Sequence, residues 1–288
     1  MLASPRRSGH FRTASIRCRF VPEVALSMKL PTLFASALFW VAAFQAPLQA
    51  AGVAAVADYI VSLGNTNIAN VTIGLEDDGS RYRMQADARI TGLASLVASG
   101  SGRIESQGAS AGTALTSERF DLLTSSGGED FKVAVTYAAR NVESFIVNPP
   151  LLNNIDRVAI ERKDLRGVND MIASFVLKGG KLDRSLCSRK MQVFTGVERF
   201  NIALQFTKAD EATSKKTGYQ GPVILCNIRY TPISGHFTTS EVTNYLKDSD
   251  RILIWYAPLS TPGYFIPYRL LLTTSMGDLS MVLTRLRE

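Results

Sequence analysis

Strict alternation from Arg81 to Ile90 leaves that stretch one regular solution. Tyr82, Met84, Ala86, Ala88 and Ile90 fall on one side, and Arg81, Arg83, Gln85, Asp87 and Arg89 on the other. A period of two is that of a β-strand with one dry and one wet face; a helix would scatter both sets around its axis. The pattern recurs at Phe131, Val133, Val135 and Tyr137 and at Phe200, Ile202, Leu204 and Phe206. Asp78-Gly79 and Gly127-Gly128 stand between such runs, where glycine supplies the backbone freedom of a tight turn, so neighbouring strands are expected to pair as meanders. Further strands are expected at 71–75, 119–124, 192–194, 197–206, 223–230, 251–257, 268–275 and 279–285.

Alternation fails in Val223-Ile-Leu-Cys-Asn-Ile and in Ile252-Leu-Ile-Trp-Tyr, which are apolar on both faces and need a second covering layer. Leu165, Val168, Ile172, Phe175 and Val176 share a helical face, Asn169 or Asp170 can cap it, and Gly179-Gly180 can stop it. A shorter helix is expected over 240–246, where Thr238 and Glu241 have capping-box spacing. The fold class is therefore mainly β: a strongly curved antiparallel sheet or open barrel wrapped around one main helix near 170–178, with a second short helix. Lys208 to Gly221 reads as a long, mobile hairpin connection.

Between Lys29 and Asp58 there is no ionised side chain, and Leu33 to Phe44 is almost wholly apolar. Met28-Lys29, that apolar run, and Gln45-Ala-Pro47 ahead of Leu48-Gln-Ala50 match the three regions of a secretory signal peptide, with cleavage expected near Ala50. The run is shorter than the roughly 20 residues needed to cross a bilayer, so no integral span is expected in the mature form. Met1 to Phe20 holds five arginines and no acid. Either translation starts at Met28 and residues 1–27 are an untranslated or unstructured extension, or those residues form an organelle transit peptide; the first reading is favoured because residues 28–50 are complete as a signal. Residues 51–288 contain no repeat or dividing linker and are expected to form a single β-rich domain.

Residues 1–50 carry six of the 32 basic residues and one of the 25 acids, leaving 26 against 24. A mature net charge of +2 gives no electrostatic footprint for nucleic acid. Cys187 and Cys226 are the only mature thiols. In an oxidising compartment they are expected to pair, with two buried free thiols as the alternative. With His236 as the only mature histidine, a zinc site cannot be completed in the usual way, and neither Asp248-Ser-Asp250 nor Glu76-Asp77-Asp78 supplies a full calcium loop. No serine sits in a Gly-x-Ser-x-Gly elbow, Gly100-Ser-Gly102 lacks the third glycine of a dinucleotide fingerprint, and His236 reads as a loop residue. No cofactor is expected. Trp255 to Arg269 concentrates aromatics and prolines, and Trp255, Tyr264, Phe265, Arg199 and Arg269 are the candidate contacts for an apolar ligand or a partner, with Tyr264 and Phe265 in a Pro/Gly loop. The alternative is that these side chains plug one end of the sheet.

Val193-Phe-Thr-Gly-Val-Glu-Arg-Phe200, Cys226-Asn-Ile-Arg-Tyr-Thr-Pro-Ile-Ser-Gly235, Ile254-Trp-Tyr-Ala-Pro258 and Ile266-Pro-Tyr-Arg269 together resemble the exported bacterial family called domain of unknown function 3108. Thr195 stands where that family usually has Asp, which makes a two-residue type I′ turn at Thr195-Gly196 doubtful. The resemblance implies a periplasmic, strand-rich domain similar to the open barrels of lipoprotein carriers. Gly196 would serve a turn, Phe194 and Phe200 the core, and the cysteines a covalent clamp; no reaction is implied. The expected function is that of a non-enzymatic periplasmic protein of the cell envelope binding a lipid, a lipoprotein or an envelope protein. The rivals are a partner-binding scaffold with a filled core and a hydrolase with a spatially assembled carboxylate pair.

Overall fold

The computed structural model describes residues 52–96, 99–151, 155–274 and 277–288. The expected signal segment 28–50 and the residues 1–27 before it lie outside the described residues. The described residues cluster as one compact unit. Seven strands follow one another: β1 (Val53–Leu63), β2 (Thr66–Asp77), β3 (Arg81–Ile90), β4 (Gly100–Ala111), β5 (Ala114–Ser126), β6 (Glu129–Ala138) and β7 (Asn141–Asn148). A connecting segment carries helix α1 (Met171–Phe175) and the two-residue strand β8 (Leu177–Lys178). The chain then returns through β9 (Lys190–Phe194), β10 (Arg199–Ala212), β11 (Gly221–Ser234), helix α2 (Glu241–Asp248), β12 (Ile252–Pro258), β13 (Tyr264–Thr274) and β14 (Gly277–Arg287).

The first strand pairs with the last, Ile60 facing Val282, which fuses two meanders into one antiparallel sheet. Its order is β7-β6-β5-β4-β3-β2-β1-β14-β13-β12-β11-β10-β9, with β8 paired to β13. The sheet is not closed by strand pairing, and its two edges, β7 and β9, are joined through the segment that carries α1. Register shifts at Asp58/Tyr59, Gln107/Gly108, Thr136/Tyr137 and Trp255/Tyr256 add local twist along the sheet, as bulges do.

The pleat explains the strands that are apolar on both sides. Val223 and Ile224, or Ile266 and Phe265, are neighbours in the chain but belong to different buried clusters. One cluster gathers Tyr59, Met84, Phe120, Val135, Phe194 and Leu283. The other gathers Ile202, Ile224, Cys226, Ile254 and Phe265 with Leu186 and Cys187 of a 3-10 turn at Arg184–Ser188, which forms part of the second layer. Cys187 and Cys226 are disulfide-bonded, with Cα atoms 5.5 Å apart.

Three expectations are corrected. The main helix is one short turn, α1, capped by Asp170 through a bond from Ala173 N (2.8 Å). The spacing of Leu165, Val168 and Ile172 came from a segment buried on both flanks: Val168 N donates to Arg140 O and Asn169 forms a parallel bridge with Val193. After Phe175 the backbone turns extended and pairs as β8, so Gly179-Gly180 ends a strand rather than a helix. Ser240, not Thr238, caps α2, accepting from Thr243 N at 3.2 Å. The 208–221 stretch is not a free connection either. β10 and β11 take up its ends, Gly218 N donates to Leu283 O (3.0 Å), and Tyr268 Oη donates to Thr217 Oγ1 (3.1 Å).

The turns keep their glycines for identifiable reasons. Gly79 (φ +90°) follows Asp78, whose Oδ1 accepts from Ser80 N and Arg81 N at 2.8 and 2.7 Å. Gly196 (φ +86°) sits in a four-residue connection in which Thr195 Oγ1 accepts from Val197 N (3.3 Å) and Glu198 N (3.0 Å). Thr195 thereby stays out of the left-handed region. A Cβ on Gly196 would collide with Val133, so the site demands glycine on steric grounds as well.

Candidate functional site

The gap between the edges β7 and β9 is bridged by side chains of the connecting segment. Asn169 N donates to Gln192 O (2.8 Å) and Phe194 N donates to Asn169 O (3.0 Å), which docks the residue on β9. Its side chain then imitates a strand toward β5: Nδ2 donates to Leu115 O (2.9 Å) and Oδ1 accepts from Ser117 N (2.7 Å). Next to it, Asp170 is fully buried and forms no ion pair among the described residues. Its Oδ2 accepts from Ser106 Oγ (2.6 Å) and from Ser117 Oγ, and Tyr82 Oη lies 3.5 Å away. Burial pushes this carboxyl up, while the serine hydroxyls and the α1 backbone pull the other way.

The far end of the segment is fixed by a second buried carboxylate. Asp77 Oδ2 accepts from Ser110 Oγ (2.5 Å) and Tyr264 Oη (2.7 Å) and pairs with Lys178 Nζ at 3.4 Å, while its Oδ1 accepts from Gly79 N (2.7 Å). Burial opposes the charge on Asp77, but these bonds outweigh it and hold the carboxyl below the usual range. Room for both networks comes from β4, whose buried positions are Ser106, Gly108 and Ser110. Between the two anchors, Ile172, Phe175 and Val176 pack against Ala55, Ala57, Tyr59, Leu75, Met84 and Ile266, leaving a cavity of about 40 Å³.

The five candidate contacts do not form one site. Arg199 is buried: its Nε donates to Asp164 O (3.1 Å) and its Nη1 to Phe200 O (2.5 Å) and Asn201 Oδ1 (2.8 Å), and burial lowers its pKa. Tyr264 and Phe265 are buried residues of β13, not loop residues, because β8 pairs with them there. Trp255 and Arg269 do meet. Paired across β12 and β13, they place the guanidinium 5.4 Å from the indole ring, and Trp255 Nε1 donates to Asp210 Oδ2 at 3.0 Å. His236 is hydrogen-bonded through its backbone oxygen to Val158 N (2.9 Å), and its buried Nδ1 has no partner among the described residues.

A groove of about 560 Å³ runs beside β7, lined by Phe145, Val147, Pro150, Leu151, Val158 and Ile160, with Arg157, Ala159 and Gly196 completing it. One wall is the edge of β7. The residues facing it begin with Val158, which is bonded on its far side to Gly235 N and His236 O. Segment 167–169 covers only the start of β7, through Val168 N to Arg140 O and Gly167 N to Asn141 Oδ1. From Val142 to Asn148, the described residues supply no backbone partner other than β6. Phe145 stacks edge-on against Phe194 (5.3 Å between centroids), yet Phe145 and Ile146 remain 39% and 67% exposed. Of the groove's lining only Gly196 was singled out by sequence, since nothing in a short alternating run marks it as a sheet edge.

A family model described as a protein of unknown function (DUF3108) matches residues 58–284. The chain belongs to that family. The match runs from β1 into β14, so it takes in the groove and both buried carboxylates of this DUF3108 protein. No curated protein matches it. Among solved structures it is similar to the crystal structure of a beta-barrel-like protein of domain of unknown function DUF1849 from Brucella abortus. The two are 11% identical with a TM-score of 0.45, over 81% of this chain and 97% of that one.

Proposed function

We propose that this protein is exported, loses its leader near Ala50, and acts in the cell envelope as a non-enzymatic module that binds a protein partner on its outer surface. The observation that carries this reading is the small space left where α1 meets the sheet. A cavity of about 40 Å³ at α1 holds on the order of one water molecule, far less than an acyl chain needs. The disulfide is in keeping with an oxidising compartment, and no described helix is long and apolar enough to cross a membrane. Asp77 and Asp170 are enclosed by structural hydrogen bonds, which leaves neither free to serve as half of a hydrolytic pair. Titration of the mature protein with a fluorescent fatty acid such as cis-parinaric acid tests the reading. No saturable one-to-one rise in emission is expected; stoichiometric uptake would show that the interior opens and that the protein carries lipid.

A further inference from the structure

The β7 edge determines what kind of partner fits the groove. A strand that ends a sheet presents unpaired backbone N–H and C=O groups, and natural proteins usually shield such edges with lysine, proline, a bulge or a covering element. From Val142 to Asn148, β7 has no lysine or proline, its one register shift lies near its start, and 167–169 covers only its first residues. The opposite edge, β9, is covered where Asn169 bridges it. On the facing wall, the backbone of Ala159 and Ile160 has no partner among the described residues. Burying these groups under an acyl chain would strip their water and return no hydrogen bonds; an extended peptide would satisfy them. The floor is apolar, and the formal charge in the lining is Arg157, whose Nε and Nη2 donate to Gly235 O (2.8 Å) and Val197 O (2.9 Å), whose Nη1 donates no hydrogen bond among the described residues, and whose charge also acts on Glu198.

We propose that the groove between β7 and residues 158–160 binds an extended, largely apolar peptide segment of a partner protein by strand addition to β7, with an acidic group of that segment at Arg157. This rests on the reading of the protein as a partner-binding module and names the chemistry of the partner. Recognition of this kind divides the work: backbone bonds give affinity, and alternate side chains entering the groove give selectivity.

The test uses the full mature protein and a displayed library of random heptapeptides. Enriched peptides are expected to alternate apolar residues, lack an internal proline and favour an acid toward one end. A synthetic winner should slow amide exchange at Val142 to Asn148. N-methylation of its alternate amides should abolish binding in one phase and spare it in the other. Ala159→Trp alters an exposed position and fills the groove, so it should weaken binding at least tenfold with an unchanged melting temperature. Failure to enrich any peptide, winners that bind Ala159→Trp equally well, or winners that protect residues elsewhere would overturn the β7 assignment. A dimer in light scattering with β7 already protected would overturn it too, by making a second copy the occupant. None of these results bears on whether the interior is filled, which the fatty-acid titration reads separately.

Discussion

Replacing Asp170 with alanine should destabilise the protein by about 3 kcal/mol, a fall of roughly 10 °C in melting temperature for a domain of this size. The substitution removes the acceptor for Ser106 and Ser117 and uncaps α1 at Ala173 N, all in a region closed to water. Asp170→Asn keeps Oδ1 for the cap and should cost only about 1 kcal/mol. The pH dependence separates the two carboxyls. Asp170 has its folded pKa above its unfolded value near 4, so its contribution is complete below that value and is lost as pH rises through the folded pKa. The stability difference between wild type and Asp170→Asn should therefore shrink as pH increases. Asp77 has the opposite sign: its contribution is present above about pH 4 and disappears as pH falls through its lowered folded pKa. Denaturant titrations of wild type, Asp170→Asn and Asp77→Asn across the acidic range check both. Asp170→Ala as stable as wild type would refute the role given to the buried carboxyl in fixing the connecting segment.

Removing the disulfide should produce the other large effect. The bond between Cys187 and Cys226 closes a loop of 39 residues, which on the chain-entropy model corresponds to up to about 4 kcal/mol. The loop runs from the end of the 3-10 turn through β9 and β10 into β11, so breaking the bond unties the covering turn from the strand beneath it. A double Cys187→Ala, Cys226→Ala variant should melt about 8 to 16 °C lower. Wild type with dithiothreitol should approach the same value, and without reductant it should not. A shift within experimental error would mean that the second cluster holds the turn without a covalent tie.

Where side chains alternate between core and solvent, the fold could be read from the chain. β3 runs from Arg81 to Ile90, the span its alternation indicated, and Gly127-Gly128 forms the expected two-residue turn with φ of +62° and +88°. β1, β4 and β7 are not among the strands expected from the sequence, each for its own reason. In β1 alanines occupy both faces; in β7 most side chains are exposed; in β4 the inward positions are Ser106, Gly108 and Ser110 because they face Asp170 and Lys178 rather than a hydrophobic layer. Small polar residues in a strand look like loop until the buried carboxylates they serve are in view. The helix was overestimated for a related reason, because a segment buried between two sheet edges mimics helical spacing without being helical. The groove depends on which strands end the sheet, a property of topology that local sequence does not encode.

Native mass spectrometry of the protein recovered from its own cell envelope tests whether the sheet is clamped by the disulfide and carries no lipid. One species is expected, with the mass of a chain beginning near residue 51, lighter by two hydrogens for the disulfide and carrying no adduct. A species heavier by an acyl chain, or one that keeps its leader and two free thiols, would contradict it.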